Sequence, residues 1–270
     1  MRRLLDSIRL YFAFAAVSSR SQMQYRVSFA MLSLGLLFAV ATELAGVWML
    51  FSRFGTIRGW TLPEVAMLFG IVDAAFALAE CFGRGFDMFP GLLKTGDFDL
   101  VLLRPRSAAL QVAAREIQLM RIGRFTIGMF ALLWGAGRIG VHWDAARVGL
   151  VACAIAGGAC LFYGLLVLQA TLAFWTTESL EVVNTTTYGG VEMARFPISI
   201  YREWFRRIFI WFIPLATINY LPLHAITGRT DPLGSPAWLQ WASPMAGVLF
   251  LGACLCVWRL GVRRYASTGS

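Results

Sequence analysis

Hydrophobic and polar positions along this chain do not alternate with a short period; they fall into long apolar blocks separated by brief polar ones. Six blocks approach or exceed the length that crosses about 30 Å of hydrocarbon as helix, at about 27–51, 63–83, 119–139, 146–175, 205–223 and 244–262. Ahead of them, residues 1–22 predict a helix lying in the interface, with Leu4, Leu5, Ile8, Tyr11, Phe12 and Ala15 on one face and Arg2, Arg3, Asp6 and Arg9 on the other. An ordinary basic flank that fixes orientation explains the same residues equally well. A removable secretory signal is not expected, because no small-residue cleavage site follows a short apolar core near the start.

The blocks are interrupted in informative ways. The first contains Glu43; the second begins at Pro63, acceptable in a first helical turn, and carries Asp73 and Glu80 seven residues apart, hence on one face. Carboxylates facing lipid are costly, so these acids should face protein or water. Pairing with a bundle arginine and a place on a translocation pathway are both open for them. Arg121 and Arg124 cut into the start of the third block, where they either snorkel to headgroups or line a polar vestibule. The fourth is rich in small residues, among them Gly157, Gly158 and Gly164, which predicts close helix approach. In the fifth, Pro214 and Pro222 should kink or stop the helix, since proline lacks the amide donor and clashes with the preceding turn. A broken or re-entrant element is therefore expected over about 215–243, on the outer side.

Two polar stretches remain, about 86–118 and 176–203, and both are expected on the cytoplasmic side. Within the second, Glu203 and Arg207 stand four apart in the favourable helical order, which predicts a helix entering the membrane near Pro197. The expected fold is an all-α polytopic membrane protein, one domain over residues 1–270 with six transmembrane helices.

Composition sharpens this picture. The chain is 58% hydrophobic and 14% charged, against roughly 25% charged for an ordinary soluble domain. With both termini cytoplasmic, only Arg53, Arg58, Arg138, Arg147 and Arg229 of the 24 basic residues fall outside, as the positive-inside bias requires. The net charge of +9 then matches anionic membrane lipid, and nucleic acid is not needed to explain it. The five cysteines lie in or at the ends of apolar blocks without metal-ligand spacing. His142 and His224 have no second ligand near them and read as interfacial side chains, so no metal site is expected. The only lysine, Lys94, precedes Thr95 but follows Leu93, where a phosphate-binding loop needs glycine. No nucleotide site and no serine nucleophile with a positioned base is evident, so the chain is not expected to be an enzyme or to hold a cofactor.

Three runs resemble a known family: Gly96-Asp-Phe-Asp-Leu-Val-Leu-Leu-Arg-Pro105, Ala194-Arg-Phe-Pro-Ile-Ser-Ile-Tyr201 and Ile213-Pro-Leu-Ala-Thr-Ile-Asn-Tyr-Leu-Pro222. They are similar to the ABC-2 family transporter proteins, membrane permease subunits of bacterial ATP-binding-cassette exporters, and the resemblance covers nearly the whole chain. It implies six transmembrane helices, an interfacial N-terminal helix, re-entrant helices between the fifth and sixth spans, and cytoplasmic segments that contact a separate ATPase. ATP and Mg would be bound by that partner, in two copies, beside a second permease copy or paralogue in the bacterial inner membrane. Carried onto this sequence, the coupling residues are Asp97 and Asp99, Phe98, Leu100 and Leu103 for an apolar groove, Arg104 for a partner carboxylate or Asp99, and Pro105 to redirect the chain. Glu43, Asp73 and Glu80 are the candidate pathway residues. The rival reading is an ATP-independent secondary transporter that uses those three acids as a proton relay.

Overall fold

A computed structural model describes Gln22 and residues 24–176, 180–211 and 213–265. The interfacial helix expected over 1–22 lies outside the described residues, Gln22 apart. Among the described residues the fold is helical, and the only β pairing is an isolated bridge between Ile57 and Trp60. In chain order the helices are α1 (Arg26–Phe54), α2 (Leu62–Asp87), α3 (Phe89–Lys94), α4 (Asp97–Leu102), α5 (Ala108–Arg115), α6 (Ile122–Arg138) and α7 (Ala145–Leu172). There follow α8 (Leu180–Ala194), α9 (Glu203–Trp211), α10 (Tyr220–Thr227), α11 (Ala237–Ala242) and α12 (Met245–Arg264).

Among the described residues, five helical stretches are long and apolar enough to cross a membrane, and they coincide with five of the six expected blocks. The sixth, 205–223, does not form one helix: α9 ends at Trp211, a single 3-10 turn covers Leu215–Thr217, and α10 begins at Tyr220. Pro214 stands at the break, as its chemistry requires. Pro222 does not break anything, because it sits in the first turn of α10, where its missing N–H has no partner to lose.

α2 is the central post. Its N-terminus is fixed by Glu64, whose carboxylate accepts the Thr61 backbone N–H at 2.8 Å, and α6 and α7 pack along its length. Lipid tails are as apolar as leucine, so helices inside a membrane associate through close packing more than through the hydrophobic effect. Gly70 of α2 and Gly128 of α6 supply that closeness, since a side chain at either would meet the other helix's backbone. Between α7 and α12, any side chain at Gly247 would run into the Gly157 carbonyl. α1 lies against α6 on the flank and leaves Met31, Phe38, Trp48 and Met49 exposed, a surface that suits hydrocarbon.

The largest departure from expectation concerns 176–203. Tyr188 meets Glu80, Arg195 meets Asp73, and Ser199 Oγ accepts from Trp60 Nε1 at 3.2 Å. As numbers rise along this stretch they fall along α2, so α8 runs antiparallel to α2 over most of its length. It starts beside the α7 end and delivers Ile198–Ile200 to the opposite end of the bundle, where Arg58 donates to the Ile200 carbonyl at 3.1 Å. The stretch is thus not a second loop beside 86–118. Tyr188 and Arg195 find their partners inside the bundle, on Glu80 and Asp73, which lets a stretch with these polar groups lie there.

Candidate functional site

At the level of α2's middle, a guanidinium and a carboxylate face each other with no water-accessible surface to speak of. Asp73 is 0% exposed and Arg195 2%. Arg195 Nε and Nη2 donate to the two Asp73 oxygens, each at 2.8 Å, the fork geometry that makes arginine the strongest partner for a carboxylate. Nη2 also lies 2.7 Å from Glu43 of α1, and Nη1 donates to Glu192 at 2.6 Å. The Phe69 ring supplies a π face 4.7 Å from the Arg195 Cζ.

Seven residues along α2 the arrangement recurs in a looser form. Arg121 Nη2 is 3.1 Å from Glu80, which also accepts from the Tyr188 hydroxyl at 3.2 Å. Arg124 stands between the two acids, 3.9 Å from Asp73 and 4.0 Å from Glu80, and contributes charge more than hydrogen bonds. Both arginines of the third block therefore turn inward to carboxylates; they neither snorkel nor line an open vestibule. The network ties α1, α2, α6 and α8 together. Of the three candidate pathway acids, Asp73 and Glu80 are enclosed within this one chain, and only Glu43, 41% exposed, reaches its surface.

The other candidate residues lie at the far end, on a short hairpin. α3 and α4 are joined through Thr95 and Gly96, and Gly96 takes φ +75°, which glycine adopts without strain. Phe98 is 0% exposed, in edge-to-face contact with Phe89 and Tyr265 at 4.9 and 5.0 Å, beside Phe174 and Trp258. It cannot fill a groove on a partner, because its own chain encloses it. Leu100 and Leu103 do point away, 60% and 79% exposed, with Arg104 and Pro105 beside them. Asp97 lies 3.7 Å from Arg115 of α5, a half-exposed pair. The root of the hairpin belongs to a second apolar cluster that includes Phe86 of α2, Val167 of α7 and Trp258 of α12. The hairpin is thereby packed onto the ends of these helices.

The end of the bundle near Trp60 carries the broken element. Arg229, in the α10–α11 connection, pairs with Glu64 at 2.7 Å and donates to the Gly59 carbonyl at 3.0 Å. Tyr220 donates to Asp231 at 2.9 Å, and the Leu233 and Ser235 amides add 3.0 and 3.2 Å bonds. Burial works against the Asp231 carboxylate, but these donors outweigh it and hold its carboxyl below the ordinary range. His224 is buried against Trp60 and Tyr220 rather than sitting at an interface.

Long apolar helices, a network of ion pairs between them and a lipid-compatible flank define a polytopic membrane protein. The family model for ABC-2 family transporter protein matches residues 37–269. The chain belongs to that family and is a membrane permease of an ATP-binding-cassette transporter, a class that works with ATPase subunits. No curated protein and no solved structure matches it.

Proposed function

We propose that this permease forms half of an exporter's membrane pathway, with a second copy or a paralogue as the other half. Two ATPase subunits, holding ATP and Mg, would engage the α3–α4 hairpin from the cytoplasm of a bacterial inner membrane. The observation that carries this reading is the division of labour within one short hairpin. An apolar tip with an arginine, Leu100, Leu103 and Arg104, stands exposed on a root of packed aromatics that holds the ends of α2, α7 and α12. A partner that pushes on such a tip moves three helices together. Because only differential affinity for two arrangements can shift their balance, ATP-bound partners must grip the tip better in one of them.

In this reading α8 is the sixth crossing, and α9, α10 and α11 form the re-entrant element at the outer end. Arg202, Arg206 and Arg207 then join the five basic residues already expected outside, while most of the 24 remain on the hairpin's side in this reading. The excess keeps its sign. The proton-relay alternative loses ground, since Asp73 and Glu80 each have an arginine partner.

Co-purification of the permease with its ATPase, and ATP-driven transport by the pair in vesicles, tests the proposal on Leu100→Asp/Leu103→Asp. The expected result is lost association and lost transport with the permease still folded. Normal association and transport would overturn the coupling role, and transport without any ATPase would overturn the whole reading.

A further inference from the structure

A cavity of about 540 Å³ opens between α5, α7 and α12 at the end of α2, within the roughly 300–1,000 Å³ typical of small-molecule sites. Phe86, Tyr163 and Trp258 contribute to its apolar floor, and Ala109 to its wall. Arg259 and Arg263, four apart and so on one face of the last turns of α12, stand at its rim. No acidic residue lines it.

We infer that this cavity holds an anionic membrane phospholipid, its phosphodiester on the two guanidinium groups and the start of an acyl chain on the aromatic floor. Three observations carry the assignment. The charge of the lining is of one sign, and Arg259 and Arg263 have no carboxylate partner within 4.0 Å among the described residues. The floor is apolar where a soluble anion would need donors. The site also lies at the level where the hairpin leaves the bundle, since Trp258 touches both the cavity and the Phe89 ring, 4.8 Å away. Basic pockets between membrane helices are built for such headgroups. A lipid seated there wedges α5 against α12 and braces the hairpin root. The inference does not depend on what is transported.

The test uses the full chain in phosphatidylcholine vesicles containing a trace of phosphatidylglycerol with a photoreactive acyl chain, followed by peptide mapping. Label is expected on peptides spanning 107–113 and 255–263, reduced about tenfold or more in Arg259→Ala/Arg263→Ala, from the roughly additive worth of two surface charges. Arg259→Lys/Arg263→Lys keeps the label, because charge is retained. Ala109→Phe keeps both arginines but fills the space, so it loses the label too, which separates the site from general surface attraction. Equal labelling by photoreactive phosphatidylcholine, undiminished label in the double alanine or the Ala109→Phe variant, or displacement by inorganic phosphate would each overturn the assignment.

Discussion

The Asp73–Arg195 pair and the Leu100–Pro105 tip are both polar interruptions in an apolar chain, yet they are built in opposite ways. At the pair, Asp73 and Arg195 are matched to each other and both are buried. At the tip, apolar side chains are left bare and one aromatic, Phe98, is sunk to anchor them. The difference separates what holds the helices from what another protein can grip. Buried charge in a membrane protein is a functional hypothesis by default, but here it reads as the bolt that admits a hydrophilic helix, α8, beside α2. The bare leucines of the tip are the feature on which the proposed partner contact rests.

Mutations that break this contrast should rank clearly. Asp73→Ala leaves Arg195 buried among fewer partners and should cost about 3–5 kcal/mol, read as a large fall in thermal unfolding temperature in detergent. Replacing both partners with apolar residues of similar size, Asp73→Leu with Arg195→Met, should recover most of that loss. Phe98→Ala should cost about 3 kcal/mol or somewhat more and, unlike Asp73→Ala, should weaken ATPase association at temperatures where the bundle is still folded. Gly96→Ala forces a left-handed turn on a residue with a side chain, at about 1–2 kcal/mol, and should misalign the tip without touching the core. Leu103→Asp should leave stability within about 0.5 kcal/mol of the parent while abolishing co-purification with the ATPase.

The smallest effect belongs to the clasp around Asp231. Its carboxyl is held below the ordinary value, so its stabilising contribution is complete above about pH 4 and is lost as pH falls through the lower folded value. The α10–α11 connection should therefore loosen only in strong acid, read by proteolysis near Gly234. In Asp231→Asn that acid step should vanish.

Much of this was legible in the chain. Five long helices follow from the length of their apolar blocks, and the small-residue stripe of the fourth meets α12 as its composition demands, at Gly157. The break at Pro214 follows from proline chemistry. What misled was hydropathy used alone. Residues 205–223 are apolar yet break into short pieces, while 180–200 carry too many polar groups for an apolar block yet run along most of α2, because Tyr188 and Arg195 have partners that lie far off in the chain. A signal was there: Tyr188 and Arg195 are seven apart, the same spacing as Asp73 and Glu80, so the two helices match group for group when run antiparallel. The sinking of Phe98 was not legible, since its partners Phe174 and Tyr265 lie far along the chain.

Sidedness decides the account most directly. In a background with the five native cysteines replaced by alanine, Leu103→Cys and Glu203→Cys can be probed in intact cells with a membrane-impermeant thiol reagent. The account predicts that Glu203→Cys reacts from outside, whereas Leu103→Cys reacts only after the membrane is opened and is shielded when the ATPase is bound. Labelling of Leu103→Cys in intact cells, or of Glu203→Cys only from the cytoplasm, would contradict it.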